Sequence, residues 1–343
     1  MTSDWAAWTV LAAAAAIAFV VDQRLLRDPT KPPSLRRSAI DTLAWTVVGL
    51  AFGAVAWAMH GGAAAVDYVT GYTLEKSLSL DNVAVFAVIV ASLAIPRTRQ
   101  RRVIDHAILA ALGLRVAFIA GGLALLDRVH AVIYVFGAIL IVSGLRMFRA
   151  EEETADGEPP RIVSLARRVV PIAAGDHGSS YFVRGDGSGG RSRRATTLFV
   201  ALIALAVVDV VFAVDSVPAI FSVTHDAWVV TAANAFALLG MRPMYFLLAE
   251  GIDRLVHLRQ GLAVILVGIG VNMLVEEHVA IPTVATLAFV VVVLGLSVAL
   301  SLHTQRRAEG RSVGTPPEGG GGQGEPGDRA AGEDRHVAPE VTG

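Results

Sequence analysis

Two short acidic segments inside long apolar stretches are the residues of this sequence best suited to chemistry. Glu75 is followed six residues later by Asp81, and Asp209 is followed at the same spacing by Asp215. A carboxylate in hydrocarbon is energetically costly, so two matched pairs of carboxylates indicate a functional role. They predict a cation site near the middle of a membrane protein that is built from two related halves.

A small polar residue follows the second acid of each segment, namely Asn82 and Ser216. Residues seven positions apart share a face of a helix, which places Glu75 and Asn82 on one polar stripe. Glu75 and Asp81 instead point about 120° apart on a regular helix. The two acids of one segment therefore bind a single ion only if the helix is broken there, and otherwise they serve successive sites.

Pro218 offers a possible break in the second acidic segment. Proline has no N–H group, so the carbonyl of Val214 loses its usual helical partner and becomes a potential cation ligand. Broken helices are tolerated at membrane depth where they line a cavity. A packing kink without any role in binding is the alternative, and the first segment has Ala84 at the matching position.

The available ligands favour a hard divalent cation. Carboxylate, amide, hydroxyl and carbonyl oxygens suit Mg²⁺, Ca²⁺ or Mn²⁺. The chain has no cysteine, which excludes thiolate metal sites and cysteine nucleophiles, and no histidine lies within either acidic segment. We expect the cation to be a transported substrate and expect no resident cofactor. The net charge of −1 with segregated charges gives no indication of a nucleic-acid partner.

Several basic or amide side chains inside the apolar stretches could balance the acids. They are Lys76, Arg115, Arg146, Arg242 and Asn234. Two interpretations remain open for the basic residues. They form static buried ion pairs that hold helices together, or they neutralise the acids until a cation or a proton displaces them. Asn234 could also make an ordinary hydrogen bond between helices.

Composition and hydropathy predict an all-α polytopic membrane protein. The chain is 54% hydrophobic and 17% charged, with a mean hydropathy of +0.58, whereas soluble domains are about a quarter charged. Basic residues concentrate in alternating connections, which predicts an outside N-terminus and an inside C-terminus. Nine apolar runs are long enough to cross a bilayer, namely 5–21, 39–59, 66–95, 104–126, 131–148, 197–223, 227–249, 259–275 and 281–302.

The chain divides into a membrane domain and a tail. The transmembrane domain is predicted over residues 1–303, and its first run lacks preceding basic residues, so we expect a retained helix instead of a cleaved signal peptide. Residues 149–196 predict a cytoplasmic linker between the two halves. Residues 304–343 are rich in Gly, Pro, Glu and Arg, and this composition predicts a disordered cytoplasmic tail.

Three consecutive spans of the first half resemble three spans of the second half. Besides the acidic segments, each half carries a Gly-x-Arg segment and a Gly-x-x-Met segment, at 113–115 and 144–147 in the first half and at 240–242 and 270–273 in the second. A shift of three spans reverses the direction through the membrane. The halves are therefore predicted to form an inverted-topology pair, with repeat A at about 66–148 and repeat B at about 197–280.

These segments resemble the TerC family of bacterial integral membrane proteins over roughly residues 40–300. The likeness rests on segments 71–82, 212–220, 233–242 and 245–248. This resemblance implies a link to tellurite resistance and, as in several members of the family, export of manganese. The family is similar to the wider LysE-type group of exporters. Asn272 stands where the family commonly has a basic residue, so one compensating charge is missing.

The residues and the resemblance together predict an exporter of divalent cations, Mn²⁺ above all, in the bacterial inner membrane. Asp81, Asn82, Asp215 and Ser216 would bind the cation. Glu75 and Asp209 would pass it on or carry a counter-proton, and Arg115 and Arg242 would keep the empty site neutral. The sequence has no Gly-x-x-x-x-Gly-Lys motif for nucleotides, so a proton gradient could supply the energy. The direction of transport follows from the resemblance alone.

Two other functions remain open at the level of the sequence. A non-transporting scaffold or sensor in tellurite or stress resistance would use the basic loop 161–194 as its working surface. An intramembrane aspartyl protease would use Asp81 and Asp215 as a dyad, but the Gly-x-Gly-Asp signature of such enzymes is missing. We therefore expect no enzymatic activity. The expected partners are the lipid bilayer, the cation and protons, and the sequence defines no oligomeric state.

Overall fold

The computed structural model describes residues 2–25, 34–129, 131–149, 178, 180–184, 193–251, 257–275, 278–279 and 281–312. Within these ranges the chain is almost entirely helical, which confirms the predicted all-α membrane fold. The helices are α1 (Thr2–Leu25), α2 (Leu35–Ala51), α3 (Gly53–His60), α4 (Gly62–Ser92), α5 (Arg97–Arg128), α6 (Val132–Arg149), α7 (Thr197–Phe221), α8 (Ala227–Leu239), α9 (Met241–Gly251), α10 (Leu258–Val275) and α11 (Thr283–Ser312).

Six helical stretches of the described ranges are long and apolar enough to cross a bilayer, and a seventh span results if α8 and α9 count as one. Helices α4 and α6 occupy two further predicted spans. Helix α4 carries Glu75, Lys76 and Asp81 within its length, and α6 is short, with an apolar stretch from Val132 to Phe148. The predicted number of nine spans is therefore not confirmed, and the orientation in the membrane stays a prediction.

The structure corrects the predicted helix break at Pro218. Helix α7 continues through Pro218 and ends at Phe221. Proline still lacks the N–H group that would bond the carbonyl of Val214, but the helical backbone continues for three residues beyond it. The break occurs in the next span instead, because α8 and α9 meet at Gly240 with a bend of 42°.

Local signals explain where several helices begin. The carboxylate of Asp226 accepts hydrogen bonds from the backbone N–H groups of Trp228 at 2.8 Å and Val229 at 3.2 Å, so Asp226 caps α8. Gly61 separates α3 from α4 with a φ of +88°, a conformation that side chains with a Cβ rarely adopt. The chain therefore reverses sharply before α4, the helix that carries the first acidic segment.

The predicted linker lies largely outside the described residues, but one part of it packs on the membrane domain. Strands β1 (Phe182–Arg184) and β2 (Arg193–Ala195) form an antiparallel hairpin. Beside it, the Tyr181 hydroxyl lies 3.1 Å from Nδ1 of His106, and the Arg102 guanidinium lies 5.4 Å from the Tyr181 ring centroid. Burial raises the pKa of Tyr181 above its ordinary value, so the hydroxyl keeps its proton. The hairpin is thus attached to the start of α5.

The predicted tail overlaps the last helix. Helix α11 continues to Ser312, nine residues beyond the predicted end of the membrane domain at residue 303. Residues 313–343 lie outside the described ranges. The predicted disorder of the tail therefore stays a prediction for those residues.

Helices α6 and α10 pack side by side through glycines. A Cβ atom placed on Gly144 would lie 2.7 Å from the carbonyl oxygen of Ala263, and one placed on Gly137 would lie 3.0 Å from the carbonyl oxygen of Gly270. Small residues at such positions let helix backbones approach closely, which is a common basis of helix association in membranes. This contact fixes α6 and α10 beside the acidic segments of α4 and α7.

Replacing Gly144 by alanine tests this packing. We expect Gly144→Ala to destabilise the protein by about 1–3 kcal/mol, the usual cost of overpacking, because the new methyl group meets backbone atoms that cannot move away. Thermal unfolding in detergent measures the effect. Gly295→Ala is the matched control, since a Cβ at Gly295 has nothing within 4 Å. Equal unfolding temperatures for the two variants would contradict the assignment.

Candidate cation-binding site

Arg115 lies at the centre of a fully buried polar cluster that α4, α5, α7 and α8 build together. Its side chain is 0% exposed and forms an ion pair with Glu75. Its Nη2 atom lies 3.6 Å from Oδ1 of Asp209, and its Nη1 atom donates a hydrogen bond to Oδ1 of Asn234 at 2.9 Å. Four residues selected from the sequence, which come from four different helices, therefore meet at one place.

Asn82 completes the cluster from α4. With its amide oxygen turned toward Arg115, Asn82 accepts a hydrogen bond from Nη2 at 3.2 Å, and its amide nitrogen donates to the carbonyl of Leu78 at 3.1 Å. This orientation satisfies both ends of the amide. We call Arg115 with Glu75, Asn82, Asp209 and Asn234 the Arg115 cluster.

The acids of the Arg115 cluster are only partly satisfied. One guanidinium faces two carboxylates, so the group is formally negative when both acids are ionised. Apart from their ion pairs with Arg115, the oxygens of Glu75 and Asp209 receive no hydrogen bond within the described part of the chain, and the nearby Ser79 and Ser216 hydroxyls have no partner there either. Buried polar atoms without partners are costly. The cluster thus holds spare oxygen ligands away from solvent.

A cavity of about 750 Å³ lies next to the cluster, between α4, α6, α7 and α10. Its polar lining includes all four residues that the sequence predicts as direct cation ligands, which are Asp81, Asn82, Asp215 and Ser216. Valines of α6 and α7 form much of its apolar wall. Although the two acidic segments are 134 residues apart in the chain, they open onto the same space.

Neighbouring side chains set the environment of the two aspartates. The Ser143 hydroxyl donates a hydrogen bond to Asp215 at 2.6 Å. Arg146 acts electrostatically on Asp215, and Arg259 acts on Asp81. The sequence does not single out Ser143. The sequence also does not identify Arg259 as a site residue, because a basic residue at the end of a span is interpreted as a topology signal.

Glu75 and Asp209 face Arg115, whereas Asp81 and Asp215 face the cavity. This division agrees with the angle of about 120° between the two acids of one helical segment. Asn82 belongs to both groups. In the described ranges, no three side chains of histidine, aspartate or glutamate come close enough together to hold a metal ion. The geometry favours successive sites, each with few carboxylates, over one site that uses all four.

Arg242, which the sequence predicts to lie opposite the acidic segments, forms its ion pairs elsewhere. Its Nη2 atom lies 2.8 Å from Asp22 of α1, and its Nη1 atom lies 3.2 Å from Asp105 of α5. The Trp45 indole also donates a hydrogen bond to Asp22 at 3.0 Å. Arg242 lies in the first turn of α9, directly after the bend at Gly240. We call these four side chains the Arg242 cluster.

The other predicted balancing residues lie at different places. Lys76 points its ammonium group toward the carbonyl of Ala237 at 3.5 Å and pairs with no acid within the described ranges. Arg146 is exposed on the wall of the cavity. Asp22 and Asp105 were not predicted, and the signal that could have identified Asp22 is an acid at the end of the first apolar run.

Comparisons with known proteins agree with this architecture. The family described as "Integral membrane protein TerC family" matches residues 60–309. The uncharacterized membrane protein STKORF319 of Myxococcus xanthus is 38% identical over 272 residues, which cover 79% of this chain and 84% of that protein. The putative membrane-bound redox modulator Alx of Escherichia coli strain K12 is 37% identical over 295 residues, which cover 82% of this chain and 90% of that protein.

A more distant relative extends the same picture. An uncharacterized membrane protein of Rickettsia bellii is 29% identical over 283 residues, which cover 82% of this chain and 92% of that protein. No solved structure matches the chain. Since the family match includes both acidic segments, the Arg115 cluster and the cavity, the chain belongs to the TerC family of integral membrane proteins.

Proposed function

We propose that this protein exports divalent metal cations, Mn²⁺ foremost, across the inner membrane of a bacterium. The observation that carries the proposal is the shared cavity, which brings Asp81 and Asn82 of one half together with Asp215 and Ser216 of the other. The outward direction of transport rests on the family resemblance.

The cavity offers the ligands that a hard divalent cation needs. The carboxylates of Asp81 and Asp215, which Arg259 and Arg146 partly neutralise, attract the cation, and Asn82, Ser143 and Ser216 contribute neutral oxygens. Mn²⁺, Mg²⁺ and Ca²⁺ all accept such oxygen ligands. Much of the remaining wall is apolar, and apolar surroundings strengthen the attraction between carboxylates and a cation.

The Arg115 cluster provides the next step along the path. Its guanidinium occupies the position of a cation between Glu75 and Asp209, so a metal ion that moves on from the cavity takes over these carboxylates as Arg115 releases them. A proton that binds Glu75 or Asp209 also releases that acid from Arg115, and this proton moves in the direction opposite to the metal ion. A proton gradient can therefore drive export through this cluster.

The contacts between α6 and α10 support an inverted repeat. In the alignment of Gly144 with Gly270, Gly137 corresponds to Ala263. The structure contains the contact of Gly137 with Gly270 and the contact of Gly144 with Ala263, as any two antiparallel helices in this register do. A repeat adds that small residues occupy all four positions, and inverted-repeat transporters commonly place their substrate site at the repeat interface.

Some relatives carry the name of a putative redox modulator. A redox function that uses the chain's own thiols has no residue to perform it, because the sequence contains no cysteine. Movement of a redox-active metal ion would instead act on cellular redox chemistry indirectly. The name of these relatives is therefore compatible with the export of manganese.

The cavity aspartates provide the first test. We expect Asp215→Asn and Asp81→Asn each to weaken the apparent affinity for Mn²⁺ about 10- to 100-fold, because each removes a direct charge partner of the cation. Mn²⁺ flux into inverted vesicles measures the effect. Asp127→Asn, at the exposed end of α5, is the matched control. Wild-type flux in both cavity variants would refute the site.

A second test uses Arg115. Arg115→Gln leaves Glu75 and Asp209 without a partner and should destabilise the fold by about 3–5 kcal/mol. Mn²⁺ should restore much of this loss, since a ligand at 100 times its Kd contributes about 2.7 kcal/mol. Thermal unfolding with and without Mn²⁺ measures the difference.

The control for Arg115→Gln is the double variant Glu75→Gln/Arg115→Gln. It removes one of the two carboxylates together with the guanidinium and should lose most of the Mn²⁺ effect. If Mn²⁺ stabilises the wild type and Arg115→Gln by the same amount, Arg115 does not compete with the cation.

A third test separates transport from a scaffold function. Residues 161–177, which lie outside the described ranges, are replaced by a neutral Gly/Ser linker of equal length, while Tyr181 and the hairpin that pack on α5 remain. A transporter should keep its Mn²⁺ flux and its protection of cells against manganese. Loss of protection with normal flux would favour the scaffold.

A further inference from the structure

The two Gly-x-Arg segments have different structures, although they occupy corresponding places in the two halves. Helix α5 is continuous from Arg97 to Arg128 and includes Gly113. The corresponding stretch of the second half is interrupted and bent by 42° at Gly240, between α8 and α9. One half thus contains an uninterrupted segment, the straight segment, and the other a bent one.

The arginines of these segments also have different partners. Arg115, on the straight segment, lies on the acids Glu75 and Asp209. Arg242, on the bent segment, is held by Asp22 and Asp105, and its side chain is only 5% exposed. The arginine of a Gly-x-Arg segment can therefore either form ion pairs with the acidic segments or be held away from them by other acids.

The space around the two glycines suits this difference. A Cβ atom on Gly240 would lie 3.1 Å from Cβ of Trp45 and 2.5 Å from Nζ of Lys76, the movable end of a long side chain, so the bent segment packs closely against Trp45 at this position. A Cβ atom on Gly113 would have nothing within 4 Å. The straight segment therefore makes no comparable close contact at the corresponding position.

We propose that the two Gly-x-Arg segments exchange states during transport, and that Asp22 and Asp105 are positioning residues that hold Arg242 off the acidic segments in one of those states. This inference rests on the proposed export function. In an inverted-repeat transporter, exchanging the conformations of the two halves gives the state that opens to the other side. In that state, α8 and α9 straighten and place Arg242 on the acids, while α5 bends at Gly113 and withdraws Arg115.

Asp22 makes the two exchanged states unequal in free energy. It lies on α1, which precedes both repeats and has no counterpart between them, so Arg115 gains no equivalent partner when it withdraws. A ligand or contact that favours one state shifts the population toward that state. The ion pair between Asp22 and Arg242 therefore favours the state in which Arg115 occupies the acids and the cation site is empty.

Reversing the charges of this pair tests the inference. In Asp22→Arg/Asp105→Asn/Arg242→Asp the ion pair between α1 and α9 is kept, and the Asp105 carboxylate that would repel an aspartate at position 242 is removed. Thermal stability should therefore recover relative to Arg242→Gln. The aspartate at position 242 cannot neutralise the acidic segments in the exchanged state, so Mn²⁺ flux in proteoliposomes should fall about tenfold or more. A purely structural ion pair predicts the opposite, and flux within twofold of the wild type in the folded triple variant would overturn the inference.

The glycines of α5 give a second test that does not depend on the charge reversal. Gly113→Ala stiffens the helix where the exchange requires a bend, so we expect the maximal flux to fall about fivefold, the effect of roughly 1 kcal/mol of helix propensity. Gly121→Ala is the matched control, because it lies on the same helix and a Cβ there also has nothing within 4 Å. Equal flux for the two variants would overturn the inference.

These experiments distinguish the inference from the function on which it rests. If wild-type protein moves no divalent cation in proteoliposomes, the proposed function fails. If the wild type transports and the charge-reversed and Gly113→Ala variants transport equally well, the function stands and the exchange of the arginines fails.

Discussion

The burial of one guanidinium between acids from two halves of the chain is the constraint on which this structure depends. If Arg115 left this cluster with nothing in its place, the buried carboxylates of Glu75 and Asp209 would face each other unpaired. The acids cannot separate without leaving an unpaired buried cation, which is strongly destabilising. Charge therefore adds to apolar packing in holding α4, α5, α7 and α8 together.

The chemistry of the site could be predicted from the sequence because charged residues in apolar runs are rare and conspicuous. Periodicity also indicates that the two acids of each segment face different directions, and the structure shows them serving the Arg115 cluster and the cavity separately. The partners of Arg242 could not be predicted. They depend on a bend at Gly240 and on the packing of α1 against α8, neither of which leaves a local signal in the sequence.

The elements themselves show the same division between local and tertiary causes. Hydropathy locates the helices well, because apolar length is a property of each segment alone. The presence of a proline alone misjudges Pro218, because neighbouring helices can hold a membrane helix together across a proline, and α7 continues to Phe221. Hydropathy gives no information on the glycine contacts of α6 and α10, because these exist only when both helices are in place.

The ion pair between α1 and α9 has a consequence for how the protein is made. Asp22 and Arg242 are 220 residues apart in the chain, and ribosomes add about 5–20 residues per second. The first helix therefore enters the bilayer roughly 10–45 s before its arginine partner is synthesised. During that interval Asp22 must remain at the lipid–water boundary or be shielded by the insertion machinery. The ion pair between α1 and α9 can thus form only after α9 has been synthesised.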